Sequence, residues 1–121
     1  MGHSICHVEF ATGNIKKARS FYENVFGWKI SHMPNSNYAR FELGREVSGG
    51  LVQSNIVIPP YTIVYISTDD ITETLEKVKE NGGKVILDRT AVDLEAKGGW
   101  FAFFADLDDN LIGLYQPKVK V

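Results

Sequence analysis

The strongest constraint on this chain is that its pattern is written twice. Laid on itself, the sequence brings Ile63 over His7, an offset of 56. The same offset matches Thr12 with Thr68, Ile15 with Ile71, Gly27 with Gly83 and Ile30 with Ile86. Toward the end of each half Gly50-Leu51-Val52-Gln53 overlies Gly113-Leu114-Tyr115-Gln116, an offset of 63, because the second half carries a longer loop around Asp88–Gly99. A repeat of about 55 residues cannot bury a sheet face alone, so the two copies are expected to pair.

Each copy reads as strand, helix, then three strands. Ser4–Phe10 alternates and is rich in strand formers. Asn14 opens a helix whose apolar residues Ile15, Ala18, Phe21, Tyr22, Val25 and Phe26 recur near a 3.6 period, and Gly27 stops it. Strand-like runs near Trp28–His32, Tyr38–Leu43 and Gly50–Val57 follow, and Pro59-Pro60 punctuates the chain. Thr62–Ser67 begins the second copy. Asp70 and Glu73 form a capping-box-like start to a helix with Ile71, Leu75 and Val78 on one face. Gly82-Gly83 ends it, and Lys84–Leu87, Trp100–Ala105 and Leu111–Tyr115 supply three more strands. The expected fold is α+β: two tandem βαβββ modules, about 4–58 and 59–118, in one domain spanning 1–121. Each helix covers one sheet face, and the opposite faces pair into a curved mixed sheet that forms a cup.

Composition narrows the partners. The 121 residues are 44% hydrophobic, enough for a real core. Thirteen basic against 15 acidic residues leave a net charge of −2, which argues against a nucleic-acid surface. No apolar run approaches the roughly 20 residues that span a bilayer. Met1-Gly2-His3-Ser4 does not resemble a secretory signal. Cys6 is the single cysteine, so the expectation is a reducing cytoplasm and a small, buried, inert thiol.

The stretches H-V-E-F-A-T-G-N-I-K-K-A-R-S-F-Y-E-N-V-F-G-W (7–28), G-G-L-V-Q (49–53), Y-I-S-T-D-D-I (65–71) and D-L-D-D-N-L-I-G-L-Y-Q (106–116) carry a resemblance. Together with the duplicated module, they make the chain similar to the vicinal oxygen chelate superfamily of glyoxalases, bleomycin-resistance proteins and extradiol dioxygenases. The fold hosts several unrelated chemistries, so the resemblance alone names no reaction.

The resemblance does imply where a metal would sit. Metal-using members draw ligands from the first and last strand of each module. Here His7 stands at the first place, and by register the others fall on Gly50, Ile63 and Gly113. Those members commonly read G-N-x-x-E-L at the last place, where this chain has Asp109-Asn110-Leu111-Ile112-Gly113-Leu114. The carboxylate is missing. Glu9 shares a strand face with His7 and adds one oxygen donor, but a catalytic zinc or non-haem iron site wants three protein ligands. The expectation is therefore no metal cofactor, with His7 as the only matching ligand position and a hydrogen-bonded wall residue as its plainer role.

Alternation along the strands gives the expected lining. Ile5, His7 and Glu9 face in, while Cys6, Val8 and Phe10 pack under the helix. Ile63, Tyr65 and Ser67 face in, with Gly50, Val52, Gly113 and Tyr115 on the closing strands. Part of Trp100-Phe101-Ala102-Phe103-Phe104 joins them. Trp100 is the candidate from that run, whose parity alternation leaves open. The two glycines are expected to open room in an otherwise apolar cavity, the usual form of a small-molecule site. Glu9 loses hydration among aromatic rings, so it is read either as a base or cation holder or as a wall residue bonded to His7 or Tyr115. The expected function is metal-independent binding of a small aromatic or cationic molecule by a homodimer, as in the bleomycin-resistance branch. The alternative is a glyoxalase-like lyase or isomerase or a dioxygenase, using metal at His7. In a metal-free form Glu9 is the base and Tyr65 or Tyr115 the proton donor. The charged loop Asp88–Gly99 suits either a flap or a plain surface connection.

Overall fold

The computed structural model describes residues 2–34, 36–42, 47–53 and 62–118; Leu43, the stretch 54–57 and Pro59-Pro60 lie outside these. The chain runs β1 (Ile5–Thr12), α1 (Ile15–Phe26), β2 (Ile30–His32), β3 (Tyr38–Glu42), β4 (Ser48–Gln53), then β5 (Thr62–Ser67), α2 (Ile71–Glu80), β6 (Lys84–Ala91), β7 (Trp100–Ala105) and β8 (Leu111–Gln116). This is the α+β order expected from the repeat. Its contacts gather into two compact units, Cys6–Val64 and Tyr65–Val121, the latter joined by Met1–Ile5.

Within the first unit the strands lie in the order β2-β3-β4-β1. β2, β3 and β4 are antiparallel neighbours, and β1 pairs parallel with β4, through His7↔Ser48, Glu9↔Gly50 and Phe10↔Leu51. The second unit repeats this as β5-β8-β7-β6, with β5 parallel to β8 through Tyr65↔Gly113 and Ser67↔Tyr115. A parallel pair needs a crossover, and the helix after the first strand begins it.

The repeat reaches individual hydrogen bonds at the helix starts. Asn14 accepts from Lys17 N–H and Asp70 from Glu73 N–H, so each caps its helix. Asn14 N–H donates to Thr12 Oγ1, and Asp70 N–H to Thr68 Oγ1. The next amide finds its acceptor on the last strand of the same unit: Ile15 N–H donates to Gln53 Oε1 at 3.0 Å, and Ile71 N–H to Gln116 Oε1 at 2.8 Å. A glutamine that closes each repeat thus satisfies a helix N–H that has no partner inside the helix.

The helix ends are less alike. Gly27 adopts φ 71 and donates to Glu23 O. In the second copy the left-handed residue is Gly82, at φ 95, rather than Gly83, the repeat partner of Gly27. Gly83 is glycine for space, since a Cβ there would meet Val78 Cγ1 at 2.6 Å and the Ala105 carbonyl at 3.0 Å. β6 also runs on to Ala91, beyond the expected Leu87, because Thr90↔Phe101 and Ala91↔Trp100 extend its ladder with β7. The loop between these strands is correspondingly shorter than Asp88–Gly99.

Each unit has its own core on the helix side. Ile30, Ala39, Phe41 and Leu51 are buried in the first, with Phe10, Ile15, Ala18, Tyr22 and Trp28 packed against them. Trp28 stacks between Tyr22 and Phe41, at centroid distances of 5.1 and 4.6 Å. Ile71, Leu75, Ala102 and Leu114 form the second core, flanked by Ile66, Val85, Trp100 and Phe104. Cys6 is half-buried, and loss of hydration raises its thiol pKa.

Candidate functional site

Phe10 packs into the first core, so alternation turns His7 and Glu9 to the opposite face of β1. The ladders carry that face outward: His7 lies opposite Ser48, while Glu9 and Arg40 both lie opposite Gly50. Tyr38 shares it from β3. His7 Nδ1 is 2.7 Å from Ser48 Oγ, and Nε2 is 2.7 Å from the Tyr38 hydroxyl. Glu9 Oε2 sits 3.6 Å from the same Nε2. Tyr38 also hydrogen-bonds to Glu9. Burial pushes its phenol pKa well up, the charge of Glu9 and that hydrogen bond add to the shift, and Arg40 opposes it.

One set of donor directions satisfies the whole chain of groups. Ser48 O–H donates to His7 Nδ1, His7 Nε2–H donates to the Tyr38 oxygen, and Tyr38 O–H donates to the Glu9 carboxylate. Both ring nitrogens of His7 are engaged in this arrangement. Among the described residues no buried side-chain nitrogen or oxygen lacks a partner.

Gly50 does not open room, contrary to expectation. A Cβ there would fall on the Tyr38 hydroxyl and ring. The space freed at the glycine is filled by the tyrosine of the neighbouring strand. Gly113 is the same in outcome, since a Cβ there would fall on the ring of Tyr65. The donor strands differ: Tyr38 comes from β3 beside β4, Tyr65 from β5 beside β8. At the offset of 56 the repeat partner of Tyr65 is Glu9.

In the second unit the face bearing Tyr65, Ser67, Gly113 and Tyr115 continues onto β7 through Phe103↔Gly113 and Phe101↔Tyr115. Phe103 lies 6.0 Å from Tyr65 and 5.6 Å from Phe101, centroid to centroid. Trp100 belongs to the opposite face. It packs on the α2 core with Ala102 and Phe104, and Arg89 stacks over its ring at 4.6 Å. Phe101 and Phe103 therefore replace Trp100 among the lining candidates. Tyr115 donates to the Gly98 carbonyl at 2.6 Å, and Ser67 N–H donates to Ser4 O. Ile63 is half-buried on β5, two residues before Tyr65.

Sequence reasoning missed Tyr38, Arg40 and Ser48, and left open which residues of the run 100–104 share the Tyr65 face. The available signal was alternation along β3: Ala39 and Phe41 are buried, which leaves Tyr38 and Arg40 on the other face. A wide-open groove of about 560 Å³ lies elsewhere, lined by Ile15, His32, Ser36, Asn37 and Gln53. Its polar side chains brace backbone: Ser36 donates to Met33 O, Asn37 to Gln53 O, and Gln53 accepts from Ile15.

A family model described as Glyoxalase/Bleomycin resistance protein/Dioxygenase superfamily matches residues 4–114. The chain belongs to this superfamily. A glyoxylase-like domain-containing protein from Didymella fabae is 30% identical over 114 residues, covering 88% of each chain. A lactoylglutathione lyase from Neisseria meningitidis serogroup A is 27% identical over 127 residues, covering 94% of this chain and 91% of the relative. A hypothetical protein from Bacillus halodurans C-125 superposes with a TM-score of 0.76 at 21% identity, over 100% of this chain and 99% of that one. At that identity the structural likeness concerns the fold.

The residues here do not fit the metal that the superfamily's metal-using members hold. His7 has both nitrogens in hydrogen bonds, Gly50 and Gly113 carry no donor and are covered by tyrosine rings, and Ile63 is apolar. Among the described residues no group of three or more His, Cys, Asp and Glu side chains is placed to hold a metal ion.

Proposed function

We propose that this chain is a metal-independent member of its superfamily that binds a small organic molecule, aromatic or cationic, on the sheet faces turned away from the helices. The observation that carries the reading is the engagement of both His7 ring nitrogens, by Ser48 and Tyr38. An imidazole held this way is a wall group, and metal coordination would require breaking one of these bonds. The aromatic set Tyr65, Phe101 and Phe103 suits stacking on a ring, and the carboxylate of Glu9 suits a cation. Cytoplasmic residence and homodimer assembly belong to the same proposal. The half-exposed Phe21, Val25 and Phe26 of α1 are an apolar surface in keeping with assembly.

Two titrations of chelator-treated protein test it. With Zn²⁺, Ni²⁺ and Co²⁺, the expected calorimetric result is no binding that a His7→Ala variant abolishes. With benzyltrimethylammonium followed by NMR, shifts are expected at Tyr65, Phe101 and Phe103 or at Glu9. Stoichiometric metal binding dependent on His7, or no shift at any of these residues, overturns the reading.

A second reading is favoured by the bonded chain Glu9–Tyr38–His7: metal-free proton transfer, with Glu9 as base and Tyr38 better placed than Tyr65 or Tyr115 to return the proton. Glu9→Gln separates the two. Turnover lost with probe binding retained supports catalysis; probe binding lost supports capture.

A further inference from the structure

Resting on the metal-independent reading, we propose that Tyr38 in the first unit and Tyr65 in the second each keep the glycine position of their own unit free of a metal ligand. Each places its ring, from a neighbouring strand, where a ligating side chain would stand, and Tyr38 also takes the Nε2 of His7.

Three observations converge in the first unit. The ring of Tyr38 covers Gly50, so any side chain there collides with it. The Tyr38 hydroxyl holds Nε2 at 2.7 Å, while Nδ1 is held by Ser48. Glu9 is the direct cross-strand partner of Gly50 and lies 3.6 Å from Nε2. Remove the Tyr38 side chain, and Nε2 and the space above Gly50 are released together. A carboxylate added at that position would then share a face with His7 and Glu9, giving one imidazole and two carboxylates. Divalent transition metals accept that donor set. In the second unit the ring of Tyr65 excludes a side chain at Gly113 by the same sterics. In each unit, then, a side chain at the glycine requires the tyrosine ring to move away.

The steric half is tested by a double-mutant cycle read in thermal unfolding. Gly50→Ala is expected to lower the midpoint by roughly 4 °C or more, through forced overpacking, and to cost clearly less in a Tyr38→Ala background. Gly113→Ala with and without Tyr65→Ala should behave alike. Equal costs in both backgrounds overturn the proposal.

The coordination half is tested by Co²⁺ titration of the Tyr38→Ala/Gly50→Glu variant, with folding checked by circular dichroism. Visible ligand-field absorption is expected to appear and to vanish when His7→Ala is added. Tyr38→Phe, which frees Nε2 but leaves the ring on Gly50, should show none. A folded double variant without a His7-dependent cobalt signal, or a signal in Tyr38→Phe, overturns the proposal. Cobalt binding by the unsubstituted protein that depends on His7 would instead overturn the metal-independent reading beneath it, so the two failures are distinct. If the double variant does not fold, Tyr38→Ala/Gly50→Asp, with a shorter carboxylate, decides by the same reading: a His7-dependent cobalt signal is expected, and its absence overturns the proposal.

Discussion

The hydroxyl of Tyr38 lies 2.7 Å from Nε2 of His7, and the two rings lie nearly parallel, 17° apart, at a centroid distance of 6.5 Å. The residues are 31 apart in sequence and meet because β3 and β1 flank β4 on its two sides. This contact, with the Ser48 hydroxyl on Nδ1, ties both ring nitrogens of His7 into hydrogen bonds.

Removing the hydroxyl alone should be costly. Tyr38→Phe takes a donor from Glu9 and an acceptor from His7, and a loss of about 1–3 kcal/mol is expected. Urea unfolding measures it; a change within about 0.5 kcal/mol of zero would place this chain among ordinary surface contacts.

The same variant should alter alkaline stability. The folded state holds the Tyr38 phenol above its ordinary value of 10.0. Folded protein therefore binds a proton that unfolded protein gives up. The sign follows: this contribution is full below pH 10.0, and is lost as pH rises from there toward the folded value. Melting temperatures across that range should fall more steeply for the parent than for Tyr38→Phe. Parallel curves would contradict the raised phenol. Cys6 acts with the same sign, from its ordinary value of 9.0, in both proteins.

Cys6 should react slowly. Burial raises its pKa, so less thiolate is available than in an exposed thiol. Labelling with a disulfide reagent near pH 8 should be well below the rate seen in denaturant, where the thiol becomes accessible. Equal rates would contradict its burial.

The two glutamine braces should be near-equivalent. Gln53→Ala and Gln116→Ala each orphan a helix amide, Ile15 N–H or Ile71 N–H, and each should cost about 1 kcal/mol. Hydrogen exchange should rise first at the start of α1 in one variant and of α2 in the other. Exchange unchanged at those amides would mean that water replaces the glutamine without loss.

Trp100 and Phe103 should separate in a binding assay. Trp100→Ala opens the α2 core and should mainly lower stability, by about 3–5 kcal/mol where burial is complete and by less at this half-buried site. Phe103→Leu alters the opposite face and should mainly change probe shifts. The reverse pattern would contradict the assigned parity.

The duplicated sequence by itself determined the βαβββ repeat, the caps at Asn14 and Asp70, and the facing of His7 and Glu9. These follow from local conformational preference and from a period of two along a strand, and both act within a few residues. Gly50 and Gly113 were legible as positions without a ligating side chain. What lies over them was not. Tyr38 reaches Gly50 from β3, Tyr65 reaches Gly113 from β5, and Phe101 and Phe103 share the Tyr65 face because β7 pairs with β8 in one register. Strand register is a contest among long-range pairings, settled by which faces can be buried together. Only the tertiary structure decided that the two vacated glycine positions hold tyrosine rings rather than space.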